Sequence, residues 1–124
     1  MLPGVPHEVR AMVGDYLLPY LRERVTVRAE PICHRVIRTT GIPESLLADR
    51  IADIVDSLDR INVAFLPNYA GTDIRLTNWA THDQQTCDAL FDRAEAQLRQ
   101  RLGNAIYTSG YVDLSVVVGE LLRQ

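Results

Sequence analysis

Little in this 124-residue sequence announces a chemistry. It has two cysteines, too few for the disulfide framework that holds a small secreted domain together. Cys33 and Cys87 each sit in an apolar pattern and read as packed, reduced thiols, with a disulfide or a reactive role as the alternative. No stretch approaches the roughly 18 apolar residues of a membrane-spanning helix. No basic segment followed by an apolar run opens the chain, so the expectation is a cytoplasmic protein without a membrane partner. A basic excess is also missing: 13 Lys and Arg stand against 16 Asp and Glu, a formal charge of -3. Non-specific affinity for nucleic acid comes mainly from basic groups at phosphates, so this balance disfavours such a partner. The three histidines, His7, His34 and His82, lie far apart. Neither a His-x-x-His nor a Cys-x-x-Cys spacing occurs, and no metal or other cofactor is expected in this chain. Internal repeats and low-complexity tracts are absent.

The sequence does contain alternating apolar patterns typical of a small globular domain. Hydrophobic residues make up 47%, an ordinary share for one domain, or one small domain plus attached helices. From His7 to Val25 the residues Val9, Met12, Val13, Tyr16, Leu17, Tyr20 and Leu21 repeat one helical face. Pro19 removes an amide donor, so a kink or restart is expected near Leu18. A face this apolar needs a cover: the following domain, a second copy of the chain, or a preceding segment. Self-association through this first helix is therefore an expected partner mode.

Ile32 to Thr40 reads as a strand. Gly41 and Pro43 end it, and a helix follows to about Arg60 with Leu47, Ile51, Ile54, Val55 and Leu58 on one side. Asn62–Leu66 and Asp73–Trp79 read as two strands joined by a turn over 67–72. For the next helix, Thr81 is the expected cap, with Gln84 completing a capping box; Cys87, Leu90, Phe91, Ala94, Leu98 and Leu102 form its stripe, and Gly103 stops it. Ala105–Thr108 reads as a short fourth strand. Asp113 is placed to cap a final helix with Leu114, Val117, Val118 and Leu121 turned inward. Strand, helix, strand, strand, helix, strand predicts an α+β fold: a small, mostly antiparallel sheet with helices on one face, a split βαβ or KH-like β-α-β-β-α-β unit with flanking N- and C-terminal helices.

Among the polar residues, Asp88, Asp92 and Glu95 share one side of their helix and read as a solvated face. Arg35 and Arg38, three apart, do not share a regular strand face, and Cys33 and His34 point to opposite faces. Arg35, Arg38 and Arg75, with Trp79 and Tyr69, make a weak case for base stacking on aromatics. The Gly-x-x-Gly clamp of nucleotide-gripping KH modules is absent.

The stretches Leu2-Pro3-Gly4-Val5-Pro6-His7-Glu8 and Leu18-Pro19-Tyr20-Leu21 resemble the end of the molybdopterin-binding-like domain in the competence/damage-inducible protein A (CinA) family. Arg38-Thr39-Thr40-Gly41-Ile42-Pro43-Glu44-Ser45 resembles that family's run of arginine, two variable residues, glycine, isoleucine, a small residue, glutamate and serine. Asn62–Pro67 and Asp73–Thr77 resemble its paired strands, and Val117–Leu122 its helix toward a C-terminal domain. The likeness runs through nearly the whole chain in order.

The resemblance implies three segments: 1–26 as terminal loop and helix of a molybdopterin-binding-like domain, 27–108 as the KH-type domain, and 109–124 as a linker helix. It implies a non-catalytic middle domain of a nucleotide-processing hydrolase, one that orients or dimerises neighbouring catalytic domains. The parent would act as an ADP-ribose pyrophosphatase, a nicotinamide mononucleotide deamidase, or both, and a divalent metal is implied for that parent. The glycine-rich and acidic pyrophosphatase segment and the deamidase serine motif are not in this sequence, so this chain alone is expected to be inert. The alternatives are an accessory domain that touches substrate and a small nucleic-acid module. Substrate contacts, if made, fall to Pro3, Gly4, Pro6 and Glu8 at a turn entering a helix, and to Arg38, Glu44 and Ser45. For the last three a structural role is the favoured reading: Glu44 and Ser45 at a helix start, Arg38 pairing with Glu44 across the turn.

Overall fold

A computed structural model describes residues 5–24, 32–79 and 83–123. The chain divides into two compact units, Met1–Glu30 and Pro31–Gln124.

In the first unit, α1 (Pro6–Met12) runs into a π-helical segment (Val13–Leu17) and then α2 (Leu18–Arg24). Pro6 occupies the first turn, where its missing amide donor costs nothing. The wider π turn lies directly before Pro19, so the expected interruption near Leu18 is present as a π-bulge, the usual way to absorb a break in the i→i−4 ladder. Tyr16, Leu17, Tyr20 and Leu21 are exposed, and none of the helical residues is buried. The Arg24 guanidinium lies 4.1 Å from the centre of the Tyr20 ring one turn earlier.

The second unit contains β1 (Cys33–Thr39), α3 (Glu44–Ser57), β2 (Ile61–Asn68), β3 (Gly71–Asn78), α4 (Gln84–Leu102), β4 (Ile106–Ser109) and α5 (Leu114–Leu121). This is the expected β-α-β-β-α-β order. The sheet runs β2-β3-β1-β4 and every pairing is antiparallel. Cys33, Ile37, Ile74, Leu76 and Ile106 from the sheet meet Leu47, Ile51 and Ile54 of α3 and Cys87, Phe91, Ala94, Leu98 and Leu102 of α4 in one core. The helical stripes read from the sequence are thus the buried ones, because amphipathic faces are fixed by what they cover.

Several boundaries and caps differ from expectation. The helix α3 ends at Ser57, with Pro43 in the capping position and no side-chain cap. Arg60, at φ 63, turns the chain into β2. The β2–β3 hairpin is tighter than the 67–72 turn: Pro67 pairs with Thr72 and Asn68 with Gly71. Pro67 fits there because β2 is an edge strand, where a missing donor leaves no neighbour unpaired. Asp83 caps α4, accepting from the Thr86 amide at 2.8 Å; Thr81 lies outside the described residues. Gly103, at φ 54, ends the helix as anticipated. Asp113 caps α5 through the Ser115 amide at 3.0 Å. The inward stripe of α5 is only partly realised, since Leu114 and Val117 are half-buried while Val118 and Leu121 are exposed.

The cysteines also depart from the reduced-thiol reading. Cys33 on β1 and Cys87 on α4 are joined as a disulfide, their Cα atoms 6.3 Å apart, within the usual span of such a bridge. Both apolar patterns converge on the same part of the core, which sets the two side chains face to face.

Candidate binding face of the sheet

Strand alternation divides the polar residues of β1 and β3 between the helix-covered face and the open face. Arg35 lies on the covered side with Cys33 and Ile37. Its guanidinium stands 2.6 Å from Asp92, 3.1 Å from Glu95 and 3.6 Å from Asp88. The three carboxylates of α4 gather around a strand arginine; Asp92 stays exposed and Asp88 about half exposed, in keeping with a solvated face, and only Glu95 departs from that reading by being largely covered. Burial works against the charge on Arg35, but hydrogen bonds from its guanidinium to Asp92 and Glu95 outweigh it and raise its pKa. Burial likewise disfavours ionised Glu95, and hydrogen bonds from Ser109, Arg99 and Arg35 overcome it, holding the carboxyl below its ordinary value.

Arg38 points to the open face. It donates to Asp73 at 3.2 Å and to the Val112 carbonyl at 2.9 Å, and its guanidinium lies 5.8 Å from the centre of the Tyr107 ring. Asp73 is thus its partner, and the expected pairing with Glu44 is not made, because strand direction carries Arg38 onto its β3 neighbour. Glu44 and Ser45 are exposed at the start of α3, and neither caps it. Of the other proposed contact residues, Pro6 and Glu8 lie in the first turn of α1 in the first unit; Pro3 and Gly4 lie outside the described residues.

The open face also holds the connector between β4 and α5. The Gly110 amide donates to the Val36 carbonyl at 2.8 Å. Tyr111 places its hydroxyl 3.3 Å from His34 Nε2, with the rings edge to face. Tyr69, in the hairpin turn, donates from its hydroxyl to Asp113. That bond, followed by those from Ser115, lowers the Asp113 pKa. Near the start of β1, Ile32, His34, Arg75, Thr77, Trp79 and Tyr111 surround a hollow of about 250 Å³. The Tyr111 contribution follows from the path of the connector and has no signal in the strand pattern.

Among the described residues, no group of three or more His, Cys, Asp or Glu is arranged to hold a metal ion. The carboxylates that sequence spacing brings together on α4 are engaged by Arg35.

The family model of the damage-inducible protein CinA KH domain matches residues 34–108, the span from β1 into β4. The chain is similar to a CinA-like protein of Gemmatimonas aurantiaca, with 42% identity over 118 residues, covering 95% of this chain and 27% of that protein. It is similar to a CinA-like protein of Salinibacter ruber, with 36% identity over 124 residues, 99% of this chain and 29% of that protein. The chain thus spans between a quarter and a third of the length of these relatives. It belongs to the CinA family, and its β-α-β-β-α-β unit is the family's KH domain.

Proposed function

We propose that the chain serves as the non-catalytic middle domain of a CinA-like nucleotide-processing protein and orients or dimerises catalytic domains there. In this reading the parent is an ADP-ribose pyrophosphatase, a nicotinamide mononucleotide deamidase, or both, and the divalent metal belongs to the parent's catalytic domain. The observation that carries the reading is the way open-face side chains hold the segment entering α5. Arg38 binds the Val112 carbonyl while anchored on Asp73, and Tyr69 binds the Asp113 carboxylate that caps the helix. Polar side chains arranged in this way fix the direction in which the chain leaves the sheet. A spacer between catalytic domains requires such a fixed direction. The exposed Tyr16, Leu17, Tyr20 and Leu21 of the first unit supply an apolar surface for a catalytic neighbour or a second copy.

A parallel assay of this chain and a longer protein containing it tests the proposal, with ADP-ribose plus divalent metal and with nicotinamide mononucleotide. An active longer protein beside an inert chain is expected; turnover by the chain alone would overturn it. In the longer protein, Arg38→Ala separates spacing from direct substrate contact. Spacing predicts altered domain arrangement in solution scattering together with any loss of activity. Lost activity with unchanged arrangement would favour contact through Arg38, Glu44 or Ser45.

A further inference from the structure

The hollow beside β1 is built differently from its surroundings. On the open face, His34 faces Thr77 and Val36 faces Arg75 across the β1–β3 pairing. On the other side, Asn62 faces Thr77 and Ala64 faces Arg75. Arg75 therefore lies between two small apolar side chains. Arg35, Arg38, Arg99 and Arg101 all have carboxylates within 4 Å. Among the described residues, Arg75 has none. Thr77 is only 8% exposed, and its hydroxyl makes no hydrogen bond among the described residues although it lines the hollow. Trp79 and Tyr111 stand at the rim with 58% and 77% of their surface exposed, and Ile32 adds an aliphatic wall.

We propose that this hollow binds a small planar aromatic anion, one ring system bearing a phosphate or a carboxylate. The ring lies against Trp79 and Tyr111, whose flat faces accept stacking at low conformational cost. The anionic group meets the Arg75 guanidinium and the Thr77 hydroxyl, and His34 is a third polar contact. The volume of about 250 Å³ suits one ring system; typical pockets for larger organic ligands run from roughly 300 to 1,000 Å³. The charge pattern also limits the ligand to a single anionic group. The next open-face arginine along the strands, Arg38, is neutralised by Asp73, so no basic track continues for a polymer backbone. The site stands independently of the spacer role proposed above.

Trp79 is the sole tryptophan, so its indole N–H gives a single assignable signal in a ¹⁵N–¹H spectrum of the 124-residue chain. Titrations with adenosine 5′-monophosphate and with benzoate test the phosphate and carboxylate sources of the anion. Adenosine and inorganic phosphate supply the ring and the charge separately. Saturable displacement of the indole signal is expected with at least one of the two aromatic anions, and weaker binding by each separated half. Arg75→Gln, with an unchanged unfolding midpoint, should weaken the binding anion by about 10- to 100-fold, the loss of a charge-assisted hydrogen bond, and leave adenosine unaffected. Thr77→Val should weaken the same anion with Arg75 intact. No saturable displacement by either anion at millimolar concentration would overturn the proposal. So would equal binding by Arg75→Gln, or tight and steeply salt-dependent binding of a short single-stranded RNA in place of the small anions.

Discussion

Arg35 of β1 and Glu95 of α4, sixty positions apart, meet at 3.1 Å on the helix-covered side of the sheet. Glu95 also accepts from Arg99 at 2.8 Å and from Ser109 on β4, so one carboxylate joins α4 to both β1 and β4. Their side chains are 14% and 21% exposed for Glu95 and Arg35 respectively. Removing one partner of a fully buried pair costs about 3–5 kcal/mol, and partial solvent access reduces that through screening. Arg35→Ala is therefore expected to lower unfolding stability by about 1–3 kcal/mol. Urea denaturation checks this: the midpoint should fall with an unchanged slope.

The same carboxylate sets a pH dependence. The folded-state pKa of Glu95 is lowered: burial opposes ionisation, but Ser109, Arg99 and Arg35 prevail. The folded state therefore binds its proton less readily than the unfolded chain. The resulting stability is fully present above the unfolded value, about 4.3 for glutamate, and is lost as pH falls through the lower folded value. The unfolding midpoint should stay level above about pH 5 and decline below the unfolded value. Glu95→Gln should make that decline shallower without abolishing it, since Asp113 is also lowered, by its bonds from Tyr69 and Ser115. An identical acid limb in the variant would contradict this assignment.

The Cys33–Cys87 bridge closes a sequence separation of 54. Constraining the unfolded chain over a loop of that order typically stabilises by about 2–4 kcal/mol. Thiol titration of the denatured chain, without reductant, should find no free thiol. Reductant should then lower the thermal midpoint, whereas the Cys33→Ala/Cys87→Ala protein should start from the lower midpoint and not respond. Two free thiols in the denatured chain would restore the reading of packed, reduced cysteines.

The elements of this domain were legible because its apolar stripes have clear periods. Leu47, Ile51 and Ile54, and Cys87, Phe91, Ala94 and Leu98, fall on buried faces with no tertiary information required. The site was less legible. Alternation separated Arg35 from Arg38, but it did not show that the face shared by Arg35 and Cys33 would receive the carboxylates beside Cys87. That pairing was available only by combining the Cys33 and Cys87 patterns, since adjacent cysteines imply adjacent Arg35 and Asp88. Asp83 was missed because Thr81 offers an equally plausible cap, and cap geometry depends on how the chain enters the helix. Pro67 suggested a break where edge-strand placement made it compatible with pairing. The hollow depends on Tyr111, brought in by a connector whose course only the fold determines.

Gly71 gives the most local test of the hairpin's position. It ends the β2–β3 pairing opposite Asn68, and the hairpin end is pressed against the end of β1. Thr39 Oγ1 donates to the Thr72 carbonyl at 2.6 Å, and Thr40 Oγ1 donates to the Ala70 carbonyl at 2.7 Å. A Cβ at position 71 would run into the Thr39 carbonyl oxygen and come within 3.0 Å of the Thr40 Cα. Both obstacles are backbone, so they cannot rotate aside as a flexible side chain could. Relief requires the hairpin to withdraw from β1, weakening both threonine bonds. Gly71→Ala is accordingly expected to cost about 1–3 kcal/mol, the range for overpacking a fitted site. Gly14, with open space around its Cβ position, supplies the contrast: Gly14→Ala in the helical first unit should be neutral or stabilising, as Ala is the better helix former. Thermal unfolding of the two variants checks the pair, and faster amide exchange at Thr72 in Gly71→Ala alone would locate the damage at the hairpin.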